Sequence, residues 1–97
     1  LDRAAEVYRR GLERDARCGP LYLRLAQLYL GQGRPQQAAE VSEAWLRFDP
    51  GRAEAHRLLA YVCRSLGQTG KARIQAQEAL RLAPGADPEL EKWLAGQ

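Results

Sequence analysis

The stretch from Gly19 to Arg52, GPLYLRLAQLYLGQGRPQQAAEVSEAWLRFDPGR, is followed at once by a second stretch that repeats its pattern. That second stretch, AEAHRLLAYVCRSLGQTGKARIQAQEALRLAPGA, runs from Ala53 to Ala86. A constant shift of 34 residues carries small, large and chain-breaking positions onto equivalents: Leu25 onto Leu59, Ala26 onto Ala60, Gly33 onto Gly67, Ala38 onto Ala72, and Pro50 onto Pro84. A fixed period of this length is typical of arrays in which each unit packs on the next.

Each copy contains two apolar series at helical spacing, separated by glycine-rich or proline-rich breaks. The pattern predicts helices over about 20–30, 35–48, 53–66 and 71–82, with turns at 31–34 and 67–70. An earlier helix begins at Leu1, and its apolar residues continue to Leu12. Asp87 is typical of an N-cap and Pro88 of a first helical position, which predicts a last short helix to about Leu94. The expected fold is therefore all-α, with about six antiparallel helices in a single domain.

The 34-residue copies resemble the tetratricopeptide repeat (TPR) family. The residues that carry the resemblance in the first copy are Tyr22, Leu25, Ala26, Tyr29, Gly33, Ala38 and Pro50. Those in the second copy are His56, Leu59, Ala60, Cys63, Gly67, Ala72, Ala79 and Pro84. The resemblance implies a right-handed α-α superhelix that divides into half a repeat (1–18), two full repeats (19–52 and 53–86) and a final half repeat or capping helix (87–97).

The repeated small residues and chain breakers have direct physical roles. Ala26 and its equivalents allow two helices to approach closely, since a larger side chain would force them apart. Gly33 and Gly67 suit a positive φ, which most residues avoid. His56 and Cys63 replace the aromatic residues that the family prefers, so we expect looser packing around them.

The resemblance also places function on the concave wall, which is lined by the first helix of each pair. The positions it selects are Leu23, Arg24, Gln27 and Leu30 in one copy and Arg57, Tyr61, Arg64 and Ser65 in the next. Guanidinium groups hold carboxylates, while Tyr and Leu give apolar contact, so this mixture favours an extended or helical peptide as ligand. The predicted function is a non-catalytic protein interaction scaffold.

Two narrower functions follow from what is known of the family. Chaperone-binding members clamp a terminal carboxylate with Lys and Asn, but this chain has no Asn and its Lys71 and Lys92 lie elsewhere, which argues against that activity. The alternative is an accessory region of a larger enzyme or of a bacterial secretion or polysaccharide assembly. The sequences that flank such a region would distinguish it from a simple scaffold.

Composition excludes several other classes of function. The net charge of +3 is spread along the chain without basic blocks, so a nucleic-acid partner is not expected. The longest apolar runs have four or five residues, far fewer than the roughly 20 that span a membrane. Two cysteines are too few for a disulfide framework or a zinc site, and we expect no metal or cofactor.

A catalytic function is also not expected. His56 and Cys63 share a helix face but lie two turns apart, about 11 Å along the axis, which is too far for a nucleophile and its base. The sequence Gly31-Gln32-Gly33 follows a helix and lacks the Lys-Ser/Thr ending of a phosphate-binding loop.

The first helix lacks the partner that would precede it in a complete repeat. Its apolar residues Leu1, Ala4 and Tyr8 are therefore expected to be partly uncovered. This predicts a possible route to self-association through the exposed terminal helices.

Overall fold

Six α-helices account for the regular structure of residues 3–97. The computed structural model describes residues 3–97, and the helices are α1 (Arg3–Arg14), α2 (Gly19–Gly31), α3 (Pro35–Phe48), α4 (Ala53–Ser65), α5 (Thr69–Leu82) and α6 (Pro88–Ala95). No β-strand occurs within these residues, which confirms the all-α prediction. The predicted start of the first helix at Leu1 lies outside the described residues. None of the six helices is both long and apolar enough to cross a membrane.

The residues that end and begin the helices act as the sequence predicts. Gly33 and Gly67 have φ values of 72° and 74°, in the left-handed region that glycine adopts without a steric penalty. Proline stands in the first turn of α2, α3 and α6, where the missing N–H has no helical partner. The Asp87 side chain caps α6 by accepting a hydrogen bond from the Leu90 backbone N–H at 3.1 Å.

The start of α5 differs from the prediction. The helix begins at Thr69 and not at Lys71, so Gly70 is helical. The Ala72 N–H donates to the Gln68 carbonyl at 3.0 Å, which fixes the first turn on Gln68. Thr69 lies 34 residues after Pro35, where α3 begins, so the repeat register outweighs the low helix propensity of glycine.

The helices pack as antiparallel hairpins that stack along the chain. The hairpin of α2 and α3 lies against the hairpin of α4 and α5, with α1 on α2 and α6 on α5. Ala26, Ala38, Ala60 and Ala72 are fully buried where neighbouring helices meet. Their small side chains allow the close approach that the sequence predicts.

The array curves towards one side. The first helix of one pair, α2, comes within 8 Å of the first helix of the next, α4, measured between Cα atoms. The second helices α3 and α5 do not approach each other so closely. We call the side lined by α2, α4 and α6 the first-helix face.

Candidate functional site

The eight residues singled out from the sequence form two groups, one on α2 and one on α4. In α2, Arg24 and Gln27 are exposed, whereas Leu23 and Leu30 are half-buried and pack against the main core. In α4, Arg57 and Tyr61 are half-buried, and Arg64 and Ser65 are exposed.

Side chains of α4 contact Asp87, which precedes α6, and Trp93, which lies within α6. The Tyr61 hydroxyl donates a hydrogen bond of 2.7 Å to Asp87 Oδ2. The Arg64 guanidinium lies over two rings, 5.5 Å from the Tyr61 centroid and 4.6 Å from the Trp93 centroid. We call the group of Arg57, Tyr61, Arg64, Asp87 and Trp93 the α4–α6 cluster.

Side chains alone make this junction on the first-helix face. No Cα atom of α4 lies within 8 Å of a Cα atom of α6, although α5 contacts both helices. The space between α4 and α6 is therefore bridged by the long side chains of the cluster. A guanidinium stacked on two aromatic rings keeps its N–H edges open to a ligand.

The charges within the cluster shift two pKa values in opposite directions. Burial raises the pKa of Tyr61 to about 12, helped by its hydrogen bond to Asp87 and by that carboxylate's negative charge. Burial also tends to raise the pKa of Asp87, but hydrogen bonds from Tyr61 and the Leu90 N–H, together with the Arg57 charge, outweigh it and lower that pKa. Asp87 is thus held as a carboxylate and Tyr61 as a neutral phenol.

Arg57 is the member of the cluster with unused donors. Its guanidinium is near enough to Asp87 to act on that carboxyl's pKa. Within residues 3–97, however, it donates no hydrogen bond and forms no ion pair. Beside it lies a cavity of about 60 Å³ between α4, α5 and the start of α6.

The first copy offers less of a site. Arg24 is exposed, but its equivalent one repeat later, Leu58, is 7% exposed and belongs to the main core. In α4 this repeat position therefore packs against α2 and α3, and it is not simply open on the first-helix face. Leu23 lines a second recess at the start of α2, together with Trp45 and Arg52.

Two residues of the cluster were absent from the sequence-based set. Asp87 was predicted only as a helix cap, and Trp93 only as part of the last short helix. The period itself carried the missing signal, because Asp87 lies one repeat after Ala53 and must therefore stand beside the first turns of α4.

His56 has close polar neighbours in the fold, and Cys63 is buried. The His56 ring nitrogens face Gln75 Oε1 and the Pro50 carbonyl, both at 2.7 Å. Cys63 is 3% exposed, and burial raises its thiol pKa, which disfavours the reactive thiolate. Within residues 3–97, no group of three or more His, Cys, Asp or Glu side chains is arranged to hold a metal ion.

Known structures share this arrangement of helices. The structure "First TPR of Spaghetti (RPAP3) bound to HSP90 peptide SRMEEVD" is similar with a TM-score of 0.88 at 18% identity, over 98% of this chain and 75% of that chain. A crystal structure of MamA is similar with a TM-score of 0.76 at 26% identity, over 84% of this chain and 48% of that chain. The structure of the MamA RS-1 ArsTM double mutant is similar with a TM-score of 0.81 at 23% identity, over 98% of this chain and 53% of that chain. The chain thus spans about half the length of the MamA chains.

Family models agree with the structural similarity. A tetratricopeptide repeat model matches residues 1–62, and a second one matches residues 53–86. No curated protein sequence gives a significant match. The first model covers well over half of the chain and the second covers the whole of the second copy, so the chain belongs to the tetratricopeptide repeat family.

Proposed function

We propose that the chain is a binding module that holds a peptide segment of a partner protein against the first-helix face. The observation that carries the proposal is the α4–α6 cluster, in which Arg57 has unused donors and Arg64 rests on two rings. Guanidinium groups favour carboxylates and carbonyls, and the rings favour apolar contact. An extended peptide offers both kinds of group.

The spacing within α4 supports an extended ligand. Arg57 and Arg64 are seven residues apart, which is two helical turns or about 10.5 Å along the axis. A peptide in extended conformation covers this distance with about three residues. We therefore expect a bound segment with acidic residues about three positions apart.

A protein of the same fold supports the role. The neighbour with a TM-score of 0.88 is bound to a peptide, SRMEEVD, of HSP90. At 18% identity this similarity concerns the fold, so the peptide that our chain binds must follow from its own side chains. The proposed surface continues from the cluster along α2 and the end of α4. Its residues there are Leu23, Arg24, Gln27, Leu30 and Ser65.

We further propose that the chain itself catalyses no reaction. Both ring nitrogens of its single histidine lie 2.7 Å from oxygen atoms of Gln75 and Pro50, and the buried thiol of Cys63 has a raised pKa. The alternative role, as an accessory region of a larger enzyme or of a secretion or polysaccharide assembly, uses the same surface. The bound segment would then belong to another part of that assembly.

Selection from a displayed library of random peptides of about 12 residues tests the binding role. Such a peptide is about 40 Å long when extended, which matches the 38 Å longest dimension of the array. Enriched peptides are synthesised, and their affinity for the purified chain is measured by calorimetry. We expect the double change Arg57→Ala and Gln27→Ala to weaken binding at least about tenfold.

Arg73→Ala with Gln77→Ala is the matched control, because it removes the same two residue types from exposed positions of the second helix α5. This variant should keep the parent affinity, and both variants should keep the parent circular dichroism spectrum. Equal loss of affinity in the two variants would place the binding surface elsewhere. A library that yields no enriched peptide would contradict the peptide-binding role.

Self-association is a second proposal, and it rests on α1. Val7 is 61% exposed and Ala4 is exposed, whereas Tyr8 is half-buried against the main core, and Leu1 lies outside the described residues. Sedimentation velocity of the chain at high concentration should show dimers that Val7→Asp abolishes. A strict monomer would overturn this proposal without affecting the peptide-binding role.

A further inference from the structure

Trp45 and Ala79 occupy equivalent positions one repeat apart, but their surroundings differ. In the first copy, the Trp45 indole is 3% exposed and stacks on Tyr22, with ring centroids 6.2 Å apart. The indole also lies against Gly19, where an added Cβ atom would stand 3.3 Å from it. A large ring on α3 thus packs beside the start of α2, where it forms one wall of the recess that Leu23 and Arg52 also line.

In the second copy no aromatic ring stands at the position equivalent to Trp45. Ala53, His56 and Ala79 stand where the first copy has Gly19, Tyr22 and Trp45. The His56 ring is held by Gln75 and the Pro50 carbonyl. The cavity of about 60 Å³ noted above lies here, and its apolar lining comes from Ala53, Ala79, Leu80, Ala83, Ala86 and Leu90. We call this space the Ala79 pocket.

The charged groups at the rim of the pocket differ in how fully they are used. Asp87 already accepts hydrogen bonds from the Tyr61 hydroxyl and the Leu90 N–H. Glu54 faces Arg52, whose Nη1 lies 3.8 Å from Glu54 Oε1. Arg57 alone among the rim's charged groups has donors without a partner. The rim therefore favours an incoming acceptor, a carboxylate above all, while the walls favour an apolar group.

The pocket is continuous with the α4–α6 cluster. Arg57 and Asp87 line the pocket and also belong to the cluster, and Tyr61 bonds directly to Asp87. A peptide lying on the cluster therefore passes the mouth of the pocket. Because no Cα atom of α4 approaches α6 within 8 Å, the mouth is bordered by side chains and not by closely packed backbone.

We propose that the Ala79 pocket binds one aliphatic side chain of the partner peptide, and that Arg57 binds the carboxylate of an acidic residue next to it. The inference rests on the proposed peptide-binding function and adds the specificity of that binding. The small volume and the alanine-rich walls select a branched aliphatic group such as that of Val or Leu, and exclude an indole. Burying such a group strengthens binding by about tenfold or more.

The test uses the peptides enriched from the displayed library. We expect them to share an aliphatic residue beside an Asp or Glu. Replacing that aliphatic residue with Gly should weaken binding to the parent chain about tenfold or more. In Ala79→Trp, which places an indole where the first copy has one, the parent peptide should bind correspondingly more weakly, and the Gly replacement should cause little further loss.

Ile74→Trp is the matched control, because it adds the same indole to the same helix at a side chain that is 63% exposed and remote from the pocket. This variant should bind the parent peptide normally. Circular dichroism tests whether each variant is folded. If Ala79→Trp does not fold, two other affinities test the pocket: that of the Gly-substituted peptide for the parent chain and that of the parent peptide for Arg57→Gln.

The outcomes separate the pocket from the general function. Enriched peptides without an aliphatic preference, or an unchanged affinity in folded Ala79→Trp, would overturn the pocket assignment and leave the peptide-binding role in place. A library without any enriched peptide would overturn both. Replacing the peptide's acidic residue with Ala should weaken binding to the parent chain more than binding to Arg57→Gln. Equal losses of affinity in the two chains would overturn the assignment of the carboxylate to Arg57.

Discussion

The Tyr61 hydroxyl donates a hydrogen bond of 2.7 Å to Asp87 Oδ2, and the other carboxylate oxygen of Asp87 caps α6 by accepting from the Leu90 N–H. One carboxylate therefore fixes the start of α6 and ties it to α4. This bond and the stacking of Arg64 on Trp93 add to the packing of the buried Leu90 against Ala60, Ala76 and Ala79, and together these contacts position the last helix.

Removing the Tyr61 hydroxyl should destabilise the chain. Tyr61→Phe keeps the ring under Arg64 but deletes a hydrogen bond to a charged acceptor, and such a bond contributes about 1–2 kcal/mol at a half-buried site. Urea unfolding followed by circular dichroism measures the loss. A variant with the stability of the parent would show that the bond contributes nothing to the fold.

Removing the Tyr29 hydroxyl should have the opposite effect. Tyr29 is 1% exposed, and its hydroxyl has no hydrogen-bond partner within the described residues. Burying an unpaired hydroxyl is costly, so Tyr29→Phe should leave the free energy of unfolding unchanged or raise it by up to about 1 kcal/mol. Loss of stability comparable to that of Tyr61→Phe would contradict the description of this site.

Stability should fall at acid pH because of Asp87. Its pKa in the folded chain lies below the usual value, so the unfolded chain binds the proton more tightly and stability increases with pH in this range. The stabilisation is fully present above about pH 4 and is lost as the pH falls through the folded pKa. Urea unfolding measured from pH 2 to 7 checks this. The midpoint of the parent chain should exceed that of Asp87→Asn at neutral pH, and the two midpoints should converge at acid pH.

The Tyr61 phenol gives the reverse dependence at alkaline pH. Its pKa in the folded chain is raised to about 12, whereas the phenol of an unfolded chain titrates near pH 10. The associated stabilisation is present below about pH 10 and is lost as the pH rises towards the folded value. Ultraviolet titration of the parent chain should show a phenol that ionises near pH 12, and Tyr61→Phe should remove that late step.

The two turn glycines should be far less replaceable than a helical glycine. Gly33→Ala or Gly67→Ala forces a side chain into the left-handed region, where φ is 72° or 74°, and should cost about 1–2 kcal/mol each. Gly70 provides the control, since it lies in the first turn of α5 with no atom within 4 Å of an added Cβ. Gly70→Ala should stabilise the chain by about 0.5–1 kcal/mol. Urea unfolding of the three variants compares them, and equal effects would contradict the turn assignment.

The two thiols should react at different rates. Cys63 is buried, and burial raises its thiol pKa, whereas Cys18 is half-buried at the start of α2. An aromatic disulfide reagent at neutral pH should therefore label Cys18 first and Cys63 only on unfolding. Cys18→Ser, which leaves one thiol, should show slow labelling in buffer and rapid labelling in urea. Rapid labelling of this variant in buffer would show that the second copy opens easily around Cys63.

Some features of the site could be predicted from the sequence because they depend on local chemistry and on the period. The positive φ values at Gly33 and Gly67 and the capping by Asp87 are of this kind, and the structure confirms them. The start of α5 was predicted wrongly, because Gly70 was given more weight than the register that relates Thr69 to Pro35. The assignment of Arg57, Tyr61 and the other six residues to a binding surface stays a prediction.

The sequence by itself determined the repeat length, the helical pairs and the small residues where the pairs meet, since each of these depends on the spacing of residue types along the chain. Only the tertiary structure decided that Tyr61 bonds to Asp87, that Arg64 stacks on Trp93, and that a small apolar cavity lies beside Ala79. These contacts join residues that are far apart in sequence, and each depends on the distance and angle between helices, which close packing of the whole array fixes.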